Sequence, residues 1–128
     1  MTHYIGVDPG LTGAIAMLSE DGALVHIGDL PVKPAAGYVK NVIDARTLAT
    51  TLGVLCEGRR VVAAVEHQQP FGTQGVASMA SLAHTYGVIV GALTAHGADV
   101  RTPTPQAWKK AMGLGKDKGL SLAKAVEL

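Results

Sequence analysis

The hydrophobic positions change period along the chain, and the changes divide it into elements. Tyr4-Ile5-Gly6-Val7-Asp8 is a short apolar run halted by Pro9-Gly10, and Gly13-Ala14-Ile15-Ala16-Met17-Leu18 follows it. Glu20-Asp21-Gly22 is a turn signal before Ala23-Leu24-Val25-His26-Ile27-Gly28, so the spacing predicts a three-strand antiparallel meander. Residues 31–40, with Pro31, Pro34 and Gly37, read as a loop. Val42, Leu48, Leu52 and Leu55 then form a helical stripe ending near Gly58. Val61-Val62-Ala63-Ala64-Val65 is apolar throughout and closes on Glu66. A strand apolar on both faces suits the centre of a parallel sheet covered by helices.

After a loop over 67–73, the pattern from Gln74 to His96 predicts a long helix with Met79, Leu82, Ala83, Tyr86, Ile89, Val90 and Leu93 on one stripe. Gly75, Ser78, Gly87 and Gly91 are small enough for close packing against a sheet or another helix. Each helix-interior glycine costs roughly 1 kcal/mol relative to alanine, so a compensating contact is expected. Ala98-Asp99-Val100-Arg101 is a final short strand, Thr104-Pro105 opens a helix through Trp108 and Met112, and Asp117 to Leu128 reads as another. The order is β-β-β-α-β-α-β-α-α. No repeat or dividing linker interrupts it, so residues 1–128 are expected to form a single α/β domain.

Composition narrows the class. A chain of 128 residues with 48% hydrophobic positions, 16 Gly and a single Cys describes one soluble globular domain. The lone Cys56 makes no internal disulfide and has no metal-ligand spacing around it, which fits a reducing compartment. No apolar run reaches the ~18 residues that span a bilayer, and the N-terminus lacks the basic flank and uninterrupted apolar core of a signal peptide. A cytoplasmic protein with no membrane partner is expected. The net charge of +1 conceals an asymmetry: residues 1–100 carry five basic and eight acidic side chains, whereas 101–128 carry six basic against Asp117 and Glu127. A basic segment behind an acidic body is one way to bind a polyanion near a carboxylate site.

The chemistry centres on Asp8 and Glu66. Each ends an apolar strand, and if those strands are parallel neighbours their ends lie on one edge about 4.8 Å apart. A carboxylate ending a fully apolar strand is costly to bury without a partner. Two carboxylates sharing a small space suit a hard divalent cation such as Mg²⁺, which takes one or two carboxylates plus waters and substrate phosphate oxygens. Phosphodiester chemistry follows. Gln68 shares the strand parity of Glu66 and is a polar neighbour of the site, while His67 has the opposite parity. His3, His26, His84 and His96 show no metal spacing, and Asp44 reads as an acid at the start of the first helix. Gly10-Leu11-Thr12-Gly13 has two readings. It makes either a tight hairpin leaving room for a substrate phosphate, or the nucleotide-phosphate hairpin of an actin-like ATPase, which would need a second domain.

Three stretches in order resemble the RuvC-type Holliday-junction resolvases of the RNase H-like superfamily, in particular their phage and prophage branch. They are Ile5-Gly-Val-Asp8-Pro-Gly10-Leu-Thr-Gly13-Ala; Val65-Glu66 with Gly75-Val-Ala-Ser78-Met and Tyr86-Gly87; and Thr104-Pro105-Gln-Ala-Trp108-Lys109-Lys110 with Lys116-Asp-Lys118. The resemblance implies a ribonuclease H fold, a five-stranded mixed sheet flanked by helices with the first and fourth strands adjacent and parallel. It further implies Mg²⁺- or Mn²⁺-dependent endonuclease cleavage of branched, four-way-junction DNA by a homodimer. By the same resemblance Asp8 and Glu66 match two catalytic, metal-binding carboxylates, and Lys109, Lys110, Lys116 and Lys118 match a segment near the DNA backbone. Phe71 is the candidate wedge at a junction, whereas Trp108 reads as core. The family takes further carboxylates from a last helix, and this sequence stops at Val126-Glu127-Leu128 before reaching it. The expectations are therefore a truncated form of the fold and, as alternatives to the enzyme, a non-catalytic branched-DNA-binding or assembly module or half of an actin-like ATPase.

Overall fold

The computed structural model describes residues 1–37, 40–67 and 75–104. Alternation in β1 (Thr2–Val7) buries Ile5 and Val7 on one side and leaves Tyr4 and Gly6 on the other. β2 (Ala14–Leu18) repeats the pattern with Ile15 and Met17 and pairs antiparallel with β1. β3 (Leu24–Asp29) extends the meander as expected. The connecting turn places Gly22 at φ +87°, a left-handed conformation suited to glycine, and the Ser19 hydroxyl accepts from the Ala23 N–H at 3.1 Å.

The expected loop over 31–40 is corrected in part. β4 (Val32–Pro34) and β5 (Asn41–Ile43) pair antiparallel in a separate two-stranded sheet. Val42 therefore belongs to β5 and not to the helical stripe. Asp44 is likewise the cap before the first helix, not a residue within it. Its carboxylate accepts from the Thr47 N–H at 3.1 Å and the Thr47 hydroxyl at 2.9 Å, and these bonds hold its pKa below the ordinary value. α1 (Ala45–Cys56) then buries Leu48, Leu52, Leu55 and Cys56. Burial raises the pKa of the Cys56 thiol, consistent with a packing role.

β6 (Arg60–Val65) lies between β1 and β7 (Asp99–Arg101) and is parallel to both, giving the order β3-β2-β1-β6-β7. α2 (Val76–Ala95) packs against α1, β5, β6 and β7. The two helices cover the face that carries Ile5, Val7, Ile15, Met17, Val61, Ala63 and Val65, and the core lies there.

Three expectations about α2 change. Its buried line is Thr85, Ile89 and Leu93, while Met79 and Ala83 are exposed. A helix with no charged residue between Glu66 and Asp99 has no strongly polar side to fix its rotation from sequence. Gly87 and Gly91 do not mediate close packing among the described residues: a Cβ at either would meet nothing within 4 Å. By length and composition α2 would also suffice to cross a bilayer, with 20 residues and a hydropathy of 1.5. Interspersed Ser, Thr, His and Gly break the run without lowering that mean much; α2 touches α1, β5, β6 and β7, yet only 17% of its apolar window is buried. The helices expected over 104–112 and 117–128 lie outside the described residues, apart from Thr104.

Candidate active site at the carboxyl end of the central strands

Parallel pairing of β1 with β6 runs in register from Thr2↔Arg60 to Val7↔Val65. Asp8 and Glu66 are the next residues on each strand. Neither chain turns away at once: the Asp8 N–H donates to the Ala14 carbonyl at 3.0 Å, and the His67 N–H donates to the Pro103 carbonyl at 2.8 Å. Continued extension places the two carboxylate-bearing residues on adjacent strands at equivalent positions, with backbones about 4.8 Å apart. Val7 and Val65 face the core, so alternation assigns Asp8 and Glu66 to the opposite face, where Asp8 is exposed and Glu66 half-buried.

The turn after Asp8 is built around its backbone. The Gly13 N–H donates to the Gly10 carbonyl at 2.8 Å, and a Cβ on Gly13 would lie 2.0 Å from the Asp8 carbonyl oxygen. Only glycine fits. The Gly10 N–H reaches Asp8 Oδ1 at 3.3 Å, and a Cβ on Gly10 would sit 3.8 Å from that same oxygen, an ordinary contact. Of the proposed phosphate-proximal positions, Gly13 fixes the turn, Gly10 touches the carboxylate and Thr12 is exposed at the tip. Beyond Glu66, the His67 ring meets Tyr86 edge-on, with centroids 5.7 Å apart and an interplanar angle of 86°. That contact ties the strand end to α2.

The donor set fits one hard cation. Mg²⁺ takes one or two carboxylates together with waters or phosphate oxygens, and Asp8 and Glu66 are carboxylates of that kind on neighbouring strands. Among the described residues no group of three or more His, Cys, Asp or Glu side chains could hold a metal ion.

The amino-acid sequence matches no family model and no curated protein. Solved structures do match. The chain is similar to RuvC of Thermus thermophilus with a TM-score of 0.61 and 23% identity, over 87% of this chain and 69% of that one. It is similar to T. thermophilus RuvC in complex with Holliday junction substrate with a TM-score of 0.60 and 16% identity, over the same shares. The fold is RuvC-like. The α/β class and five-stranded mixed sheet expected from sequence are thus observed.

Within this RuvC-like frame, Asp8, Glu66, Gly10, Thr12 and Gly13 come together at one edge of the sheet. Gln68, Phe71, Lys109, Lys110, Lys116 and Lys118 lie outside the described residues. Sequence reading missed a groove beside the Asp8 turn, formed by Pro9, Leu11, Lys40, Asn41 and the first half of α2. Its sequence signals were Pro9 and Leu11 in the first stretch of the resemblance and Ser78 in the second.

Proposed function

We propose that this chain is a metal-dependent endonuclease domain of the Holliday-junction resolvase type, acting on phosphodiester bonds in branched DNA during recombination, repair or phage DNA processing in the cytoplasm. The observation that carries the reading is the parallel β1-β6 register, which ends at Val7↔Val65 with Asp8 and Glu66 the next residues on the two strands of a RuvC-like sheet. Asp8 and Glu66 would hold one Mg²⁺ or Mn²⁺, which when bound neutralises charge at the phosphodiester. The protein's own part is to fix the two carboxylates on strands too well paired to splay and to keep the Asp8 turn flush against its backbone through Gly13. Lys109, Lys110, Lys116 and Lys118 would supply phosphate contacts, each steepening the salt dependence of binding. Gln68 and Phe71 would approach the strand at the junction.

A homodimer suits this reading, since paired nicks need two sites. The exposed side of α2 that carries Gly87 and Gly91 would let a second copy approach closely. Sedimentation as a monomer at high concentration would remove that support.

The test is cleavage of synthetic four-way junctions in Mn²⁺ by this chain or a form extended beyond Leu128. Nicking that Asp8→Asn and Glu66→Gln abolish without loss of junction binding supports the enzyme; no nicking by either folded form sinks it. A non-catalytic branched-DNA-binding module is the second reading, favoured by the absence of a third metal-ligating side chain among the described residues. It predicts salt-sensitive junction binding with no metal-dependent cutting.

A further inference from the structure

The groove beside the Asp8 turn has a volume of about 360 Å³ and lies between two elements of different origin. One wall is α2, which presents Ser78, Ser81, Leu82 and Thr85, a spacing that stacks them along a single helical face. The other wall is the start of β5, with Lys40 and Asn41, while Pro9 and Leu11 close the end nearest Asp8. Pro9 is buried and Leu11 packs against the core, so this end is anchored to the fold.

Of the polar side chains here the fold uses one, on a lining that is more apolar than polar. The Thr85 hydroxyl donates to the Ser81 carbonyl at 2.9 Å. Among the described residues the Lys40 ammonium makes no ion pair, and the Asn41 amide and the Ser78 and Ser81 hydroxyls make no side-chain hydrogen bond. One cation, one amide and two free hydroxyls along a concave path are the side-chain types that track a nucleic-acid backbone. None of the residues lining the groove is acidic.

We infer that this groove is a second phosphate subsite, holding the sugar-phosphate backbone of the DNA strand close to the bond addressed by Asp8 and Glu66, with Lys40 as its ionic contact and Ser78 and Ser81 as neutral donors. The inference rests on the nuclease reading and extends it. The carboxylates belong to the open sheet face and the groove to the helix side. The subsite thus fixes the register of the strand and not its chemistry, which makes Lys40 a positioning residue.

The experiment measures binding of a fluorescent four-way junction to the whole chain across a salt series, for wild type, Lys40→Ala, Lys40→Arg, Ser78→Ala/Ser81→Ala and the control Lys33→Ala. Lys33 is an exposed cation on β4 that does not line the groove. Lys40→Ala is expected to weaken binding about three- to tenfold and to reduce the slope of log K against log salt by about one, with Lys40→Arg restoring both. The double serine variant weakens binding with the slope unchanged, and Lys33→Ala changes neither. Thermal melts check that every variant is folded. Wild-type binding that Lys40→Ala leaves intact, or that Lys33→Ala weakens equally, overturns the subsite while leaving the nuclease reading in place. No junction binding by the wild type overturns both.

Discussion

The two faces of the central sheet are made from the same strands yet differ in almost every respect. The face under α1 and α2 carries Ile5, Val7, Ile15, Met17, Val61, Ala63 and Val65, all nearly inaccessible. On the other face Tyr4 is 46% exposed, Ile27 67% and Leu24 60%, and no described helix covers them. The carboxylates belong to this second face. Alternation by one residue thus separates what holds the fold together from the candidate site, and under the proposed function substitutions on the two faces should have opposite signatures.

The sharpest way to break that comparison is at Asp8. Under the proposed function, Asp8→Asn lowers the cutting rate about 10³-fold, roughly 4 kcal/mol of lost activation, and leaves the melting temperature unchanged. Junction cleavage assays beside thermal melts check both halves. The covered face should answer in reverse: Ile15→Ala costs about 2–5 kcal/mol in urea unfolding, since it empties a fully buried site. Gly13→Ala belongs to neither face alone. Its Cβ would collide with the Asp8 carbonyl, so about 1–3 kcal/mol of stability and the carboxylate's position are lost together, measured by unfolding and by metal-dependent binding.

Smaller effects follow. Asp44 caps α1, and because its pKa is lowered on folding, its stabilisation is fully present above the ordinary carboxylate value of 3.8 and is lost as pH falls through the lower folded value. Asp44→Asn keeps a capping oxygen but flattens this acid limb, which melting temperatures between neutral and acid pH will reveal. Smallest of all, Ile27→Ser on the open face should shift stability within about 0.5 kcal/mol. A loss like that of Ile15→Ala would show that this face is buried in solution.

Much of this arrangement was legible in the sequence because its strongest signals are local. Val61 to Val65 is apolar at every position and ends on an acid, and Asp8 ends a matching run before Pro-Gly, so the carboxylate pair could be placed before any topology was seen. β4 and β5 could not be placed. Three residues each, beside Pro34 and Gly37, are too short for a period to show. The rotation of α2 failed for a different reason: with no charge along its length, several stripes look equally apolar. The groove was invisible because its walls come from residues 9–11, 40–41 and 78–85, which only tertiary packing brings together.

Pairing of Thr2 with Arg60 also bears on when the site comes into being. The β1-β2-β3 meander closes through short turns, but joining β1 to β6 closes a loop of some 58 residues, an entropic cost of about 3.6 kcal/mol before any contact rewards it. A chain emerging from the ribosome therefore carries Asp8 early and acquires its partner only after the long closure. A meander without β6 holds Asp8 alone, so under the proposed function cutting would have to await the closure that brings β6 beside β1.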